Sequence, residues 1–145
     1  MKTISILASM LIASACFAQS DREAVTTAVT DYIDAFYYGD SMKMMRSISP
    51  DVVKYGYYRP KDSTNYTGET MSWQEITSYV ARVKARNNPA AADKLVKKVE
   101  VFDVQDKTAS AKCTAWWGTD YLLLAKLNGR WTITHVLWQS NPPKK

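Results

Sequence analysis

The sequence predicts an α+β fold in which N-terminal helices pack inside a strongly curved antiparallel sheet, forming a cone that stays open at its wide end. Three observations carry this expectation. Val25, Ala28, Val29, Tyr32, Ile33 and Phe36 recur at helical spacing and define one apolar face. Thr108 to Trp117 alternates strictly, with Ala109, Ala111, Cys113, Ala115 and Trp117 on one side, and a strand face of such small residues leaves room for a helix to lie against it. Finally, Asn128-Gly129 separates two apolar, β-prone runs between Thr119 and Trp138, a strong local hairpin signal.

The elements follow in chain order. Lys2, the apolar run Ile4 to Ala15 and small residues before Gln19 read as a signal peptide over residues 1–18, cleaved near Ala18-Gln19. The expected location is therefore periplasmic or secreted. Ala13-Ser14-Ala15-Cys16 loosely resembles a lipobox whose first position is Ala rather than Leu, so a lipid anchor at Cys16 is the alternative. The run is short for a bilayer and no second one follows, so no transmembrane segment is expected. Residues 19–140 then form one domain and 141–145 a flexible tail.

Ser20-Asp21-Arg22-Glu23 has the pattern of a capping box at the start of the first helix, and Gly39 suits its end. A short second helix is expected from Asp40-Ser41 to about Ile48, broken by Ser49-Pro50. Asp51 to Tyr58 is β-prone, and the polar stretch Arg59 to Thr70 is a loop with room for a short strand near Tyr66. Ser72-Trp73-Gln74-Glu75 is a second capping box. It opens a helix whose inner face holds Trp73, Ile76, Val80 and Val83 and which Asn87-Asn88-Pro89 stops. Four strands complete the chain: Leu95 to Val104, Thr108 to Trp117, and the two arms of the Asn128-Gly129 hairpin.

Composition sets limits on function. The 145 residues are 46% hydrophobic and 23% charged, with a net charge of +5, enough apolar content for a full core. No block of five like charges and no recognisable motif is present, which excludes dedicated nucleic-acid binding. Removal of residues 1–18 leaves Cys113 alone, so no intrachain disulfide is expected and a buried, inert thiol is. His135 is the single histidine and has no Cys or acidic cluster at ligand spacing, so neither a metal site nor a cofactor is predicted. Arg82, Lys84, Arg86, Lys94, Lys97 and Lys98 are read as a solvated basic face.

The segments YIDAFYYGD (Tyr32 to Asp40) and TDYLLLAKLNGRWTI (Thr119 to Ile133), with the order of elements, resemble the nuclear-transport-factor-2-like superfamily. Within it they are most similar to the SnoaL-like group labelled putative lumazine-binding proteins. The resemblance spans about Glu23 to Trp138. It implies the cone fold, and it implies a small-molecule ligand, while the superfamily itself hosts isomerases, dehydratases, carriers and inert adaptors.

Two polar residues are candidates for chemistry. Asp120 shares strand parity with Leu122 and Leu124, so it points to the core, where a carboxylate is costly unless paired or hydrogen-bonded. Tyr32 lies on the buried helix face. It resembles the tyrosine with which ketosteroid isomerases hold an enolate oxygen, and Asp120 falls close to the acid partner of that tyrosine. The proton-shuttling carboxylate of those enzymes would fall near Tyr55 or Gly56, where this chain has none. The leading reading is thus a domain that binds a small apolar or aromatic molecule. Its pocket would be lined by Tyr32, Phe36, Tyr55, Trp117, Leu122 and Trp138, with Asp120 as polar anchor. The alternatives are a lyase or isomerase stabilising an enolate with Tyr32 and Asp120, and a non-catalytic homodimer joined by the outer sheet face. The abundance of Tyr (9) and Trp (5) over Phe (3) suits both a pocket and an interface.

Overall fold

The computed structural model describes residues 4–61, 63–86 and 88–142, with side chains from Ser20 onward. The side chains of the expected signal peptide, its Cys16 alternative included, lie outside that description, as do residues 143–145 of the expected tail. The first helix, α1 (Ile4–Tyr38), leads into α2 (Ser41–Ser47), β1 (Ile48–Tyr58), β2 (Thr67–Thr70), α3 (Trp73–Arg86) and α4 (Pro89–Ala92). The remaining strands are β3 (Lys98–Val104), β4 (Thr108–Ala115), β5 (Gly118–Leu127) and β6 (Arg130–Ser140).

The apolar face of α1 is buried as its spacing predicts: Val25, Val29, Tyr32 and Ile33 are fully inaccessible, with Ala28 and Phe36 nearly so. The capping box at Ser20 does not start the helix, because α1 runs continuously through it. Backbone amides there are already paired within the helix, which frees Asp21 for tertiary contact. Asp21 Oδ1 accepts from Lys126 Nζ at 2.6 Å and from Trp131 Nε1 at 3.0 Å, tying α1 to the β5–β6 hairpin. At the other end, Gly39 takes φ +67°, and a Cβ there would lie 2.2 Å from the backbone nitrogen of Lys84, so glycine both caps α1 and lets α3 pass closely.

A second seam of α1 is ionic. Arg46 holds Asp31 with two hydrogen bonds of 2.5 and 2.7 Å, and Asp34 accepts from Lys43 at 2.6 Å and from Lys97 at 2.8 Å. Lys97 therefore leaves the solvated basic group and locks the segment before β3 onto α1. The predicted capping box of α3 is present, with Glu75 Oε2 accepting from the Ser72 amide at 2.7 Å and Ile76 and Val80 buried beneath.

The six strands form one curved sheet in the order β2-β1-β6-β5-β4-β3. All neighbours are antiparallel except β1 and β6, which run parallel. The Asn128-Gly129 turn has both residues at positive φ, as a two-residue hairpin requires. Inward residues of β4 and β5 (Ala109, Ala111, Cys113, Ala115; Asp120, Leu122, Leu124) face α1. Three boundaries move. β1 begins at Ile48 and carries its irregularity across Ser49-Pro50 rather than breaking there. β3 begins at Lys98, since the residues after Asn88 form α4, capped by the Asn88 side chain on the Ala91 amide at 3.3 Å. β4 ends at Ala115, which places Trp116 and Trp117 in the turn to β5.

Candidate functional site

The site grows from the strand parity of β5. Asp120 pairs across to Cys113 on β4 and Trp138 on β6, points inward and is completely buried. A carboxylate in that position needs partners for both oxygens. Oδ1 accepts from the indole Nε1 of Trp117 at 2.7 Å. Oδ2 accepts from the hydroxyl of Tyr32 at 2.5 Å and from Lys54 Nζ at 3.4 Å. Lys54, on β1, also donates to the Tyr32 oxygen at 2.7 Å. Tyr32, Lys54, Trp117 and Asp120 are thus one closed polar network drawn from α1, β1, the β4–β5 turn and β5.

Burial dominates its electrostatics. It pushes the Tyr32 hydroxyl well above the usual phenol range, and the adjacent Asp120 charge adds to the shift. Burial also lowers the basicity of Lys54, an effect that the attraction of Asp120 only partly offsets. Cys113, behind Asp120, has its thiol pushed far up by burial and is inert, as read from the alternating strand.

Above this network lies a cavity of about 240 Å³ lined by Phe36, Lys54, Met71, Tyr79, Trp117 and Trp138, with exposed Glu69 and Trp116 completing it. Lys54 Nζ sits 5.5 Å from the ring centre of Phe36 and 5.7 Å from that of Trp138. Phe36 contacts Tyr32, Tyr79 and Trp117 with ring centres 5.1–5.6 Å apart. Gly56 makes this wall feasible: a Cβ there would lie 2.2 Å from the Trp138 ring. The Trp138 Nε1 is buried and has no hydrogen-bond partner among the described residues. A second cavity, of about 270 Å³, adjoins the first and shares Phe36, Tyr79 and Trp116 with it.

Of the residues expected to line a pocket, Phe36, Trp117 and Trp138 do so. Tyr32 and Asp120 are brought together but do not line the cavity, so the buried polar group that meets it is Lys54 rather than Asp120, with Glu69 at its exposed side. Leu122 is packed into the core at 1% exposure and is not part of this lining. Tyr55 does not reach this cavity. Strand alternation turns Lys54 and Gly56 inward and therefore Tyr55 outward, where it is 37% exposed. There it joins Val53, Phe102, Tyr121, Leu123 and Leu137 around an apolar hollow of about 440 Å³ on the outer sheet face, with exposed His135 beside it. Trp131, by contrast, is buried at the opposite end of the hairpin. Local sequence patterns do not single out Lys54. Its one signal is its parity with Gly56, since a mid-strand glycine marks a face where another group approaches closely.

Comparisons with known proteins agree with this architecture. The sequence model of the family described as "Putative lumazine-binding" matches residues 20–139. No curated protein matches the chain in sequence. Among solved structures, an NTF2-like protein of unknown function from Methylobacillus flagellatus KT superposes with a TM-score of 0.60 at 21% identity, over 84% of this chain and 93% of that one. Another, from Shewanella baltica OS155, gives 0.57 at 18% identity, over 86% and 96% of the two chains. A protein described as a putative dehydratase of the NTF2-like family, from Streptomyces avermitilis, gives 0.52 at 13%, over 86% and 98%. At such identities these neighbours speak to the fold alone.

Proposed function

Because the chain belongs to the putative lumazine-binding family of the NTF2-like fold, we propose that it is a small-molecule-binding domain whose ligand is a flat aromatic molecule bearing an oxygen acceptor. The observation that carries this reading is Lys54. Its Nζ has two partners, Tyr32 and Asp120, and borders a cavity walled by Phe36, Trp117 and Trp138. An ammonium group has three donors, so one remains for a ligand oxygen. The aromatic walls then take the ring faces. Lumazine, a bicyclic dione, has the required shape and acceptors.

Titration with lumazine tests the reading through the fluorescence of Trp117 and Trp138. Saturable quenching is expected in the native chain, weakened about tenfold or more in Lys54→Met, as loss of a hydrogen bond to a charged group implies. Absence of quenching by lumazine and by a panel of aromatic ketones and carboxylates would remove the proposal. The enolate reading draws no support from this geometry, since the Tyr32 proton is given to Asp120 and neither group lines the cavity.

Export after cleavage near Ala18-Gln19 is part of the same proposal, tested by N-terminal sequencing of the protein recovered outside the cytoplasm. A homodimer through the outer sheet face is favoured by one observation: Val53, Phe102, Tyr121, Leu123 and Leu137 are each more than half exposed in one hollow. Sedimentation across a concentration series should show a dimer that Leu123→Glu dissociates; a monomer at all concentrations would discard it.

A further inference from the structure

We propose that Lys54 is a nucleophilic amine that condenses reversibly with an aromatic aldehyde or ketone held in the cavity, so that the protein captures its ligand as an imine. The inference rests on the binding reading above and adds a covalent step to it.

The geometry sets the amine up for this role. Nζ is held at 2.7 Å from the Tyr32 oxygen and 3.4 Å from Asp120 Oδ2. As a neutral amine, Lys54 has two hydrogens, and these two oxygens accept both. The lone pair is then left to the cavity that the side chain lines. The neutral amine therefore keeps both hydrogen bonds of the buried network, at the loss of the positive charge opposite Asp120. Burial opposes the charged form, since the side chain is 5% exposed, while the Asp120 charge and three aromatic faces 5.4–5.7 Å from Nζ partly offset it. Desolvated lysines in apolar pockets are the ones that act as nucleophiles at neutral pH, and burial lowers the basicity of this one. No other lysine of the described chain has this setting. Lys43, Lys97, Lys112 and Lys126 are each paired with a carboxylate at 2.6–2.8 Å and are 24–35% exposed at the side chain.

The step balances without an oxidant or reductant. The Nζ lone pair forms a bond to the carbonyl carbon as the C=O π pair moves to oxygen. One N–H proton passes to that oxygen, giving a carbinolamine. The second N–H proton leaves with the hydroxyl as water, and the nitrogen lone pair closes the C=N bond. Both amine hydrogens end in the expelled water, and Tyr32, in contact with Nζ, is placed to pass them.

The test uses the full chain with benzaldehyde and sodium cyanoborohydride at neutral pH, followed by peptide mapping. Lys54 should be alkylated several-fold faster than exposed Lys98 or Lys107, since its lowered basicity raises the free-amine fraction. Lys54→Arg should abolish that fast label and leave the slow ones unchanged. Benzyl alcohol, which has the ring and no carbonyl, is titrated in parallel by tryptophan fluorescence. Labelling of Lys54 no faster than Lys98, with benzyl alcohol still quenching, overturns the covalent step and leaves the binding pocket standing. Slow labelling with no quenching overturns both.

Discussion

The buried pair Lys54–Asp120 yields a quantitative prediction. Replacing Lys54 by Met keeps the volume and removes the positive member of a pair whose side chains are 5% and 0% exposed. Stranding one charge of a buried pair costs about 3–5 kcal/mol. Here Asp120 keeps two donors, Tyr32 at 2.5 Å and Trp117 at 2.7 Å, so the lower end, about 3 kcal/mol, is expected. Asp120→Asn should cost about as much, because it leaves Lys54 buried with the Tyr32 oxygen as its only strong acceptor. The double variant removes both charges and should recover to within about 1–2 kcal/mol of the native chain, giving a coupling of about 4–5 kcal/mol. Urea unfolding followed by far-UV circular dichroism reads all four proteins without depending on the tryptophans near the site. Single variants each costing under about 1 kcal/mol and adding independently would show that the network is not a closed unit.

Other outcomes follow from the same contacts. Lys54, with its basicity lowered in the folded state, binds its proton less tightly there than in the unfolded chain, so stability should rise with pH in the alkaline window that ends near the ordinary lysine value of 10.5. Tyr32, raised well above 10.0, contributes stability that is complete below 10 and lost as pH climbs further; Lys54→Met should flatten the rise and Tyr32→Phe the fall in pH-dependent unfolding. Asp34 is buried, which raises its pKa, yet its hydrogen bonds to Lys43 and Lys97 outweigh this and hold it below 3.8. Its contribution is therefore present above that pH and fades as pH falls through the folded value, and Asp34→Asn should reduce the acid-limb slope of thermal unfolding. Gly56→Ala forces the Trp138 ring aside, since the new Cβ would meet it at 2.2 Å; about 1–3 kcal/mol of destabilisation and a shifted tryptophan emission should result, and an unchanged spectrum would mean the indole does not lie over Gly56.

What the sequence determined by itself was whatever obeys local rules. Helical spacing from Val25 to Phe36 declared the buried face of α1, Ser72 and Glu75 declared the start of α3, alternation from Ala109 to Ala115 declared the inner face of β4, and Asn128-Gly129 declared the hairpin. Each depends on neighbours within a few positions. Asp120 was legible as an inward carboxylate, and Tyr32 as a buried phenol, for the same reason of parity. The tertiary structure alone decided which groups answer them. In β1 the usual pattern is inverted: Val53, Tyr55 and Tyr57 face outward while Lys54 and Gly56 face in. A lone strand puts its charge toward water, but the curl of the sheet around α1 offers Lys54 two acceptors from segments 22 and 66 positions away, and gives Gly56 the indole of Trp138 to accommodate. Those partners are distant in the chain and near only in space, which is why the residue on which the proposed chemistry turns carried so faint a mark in the sequence.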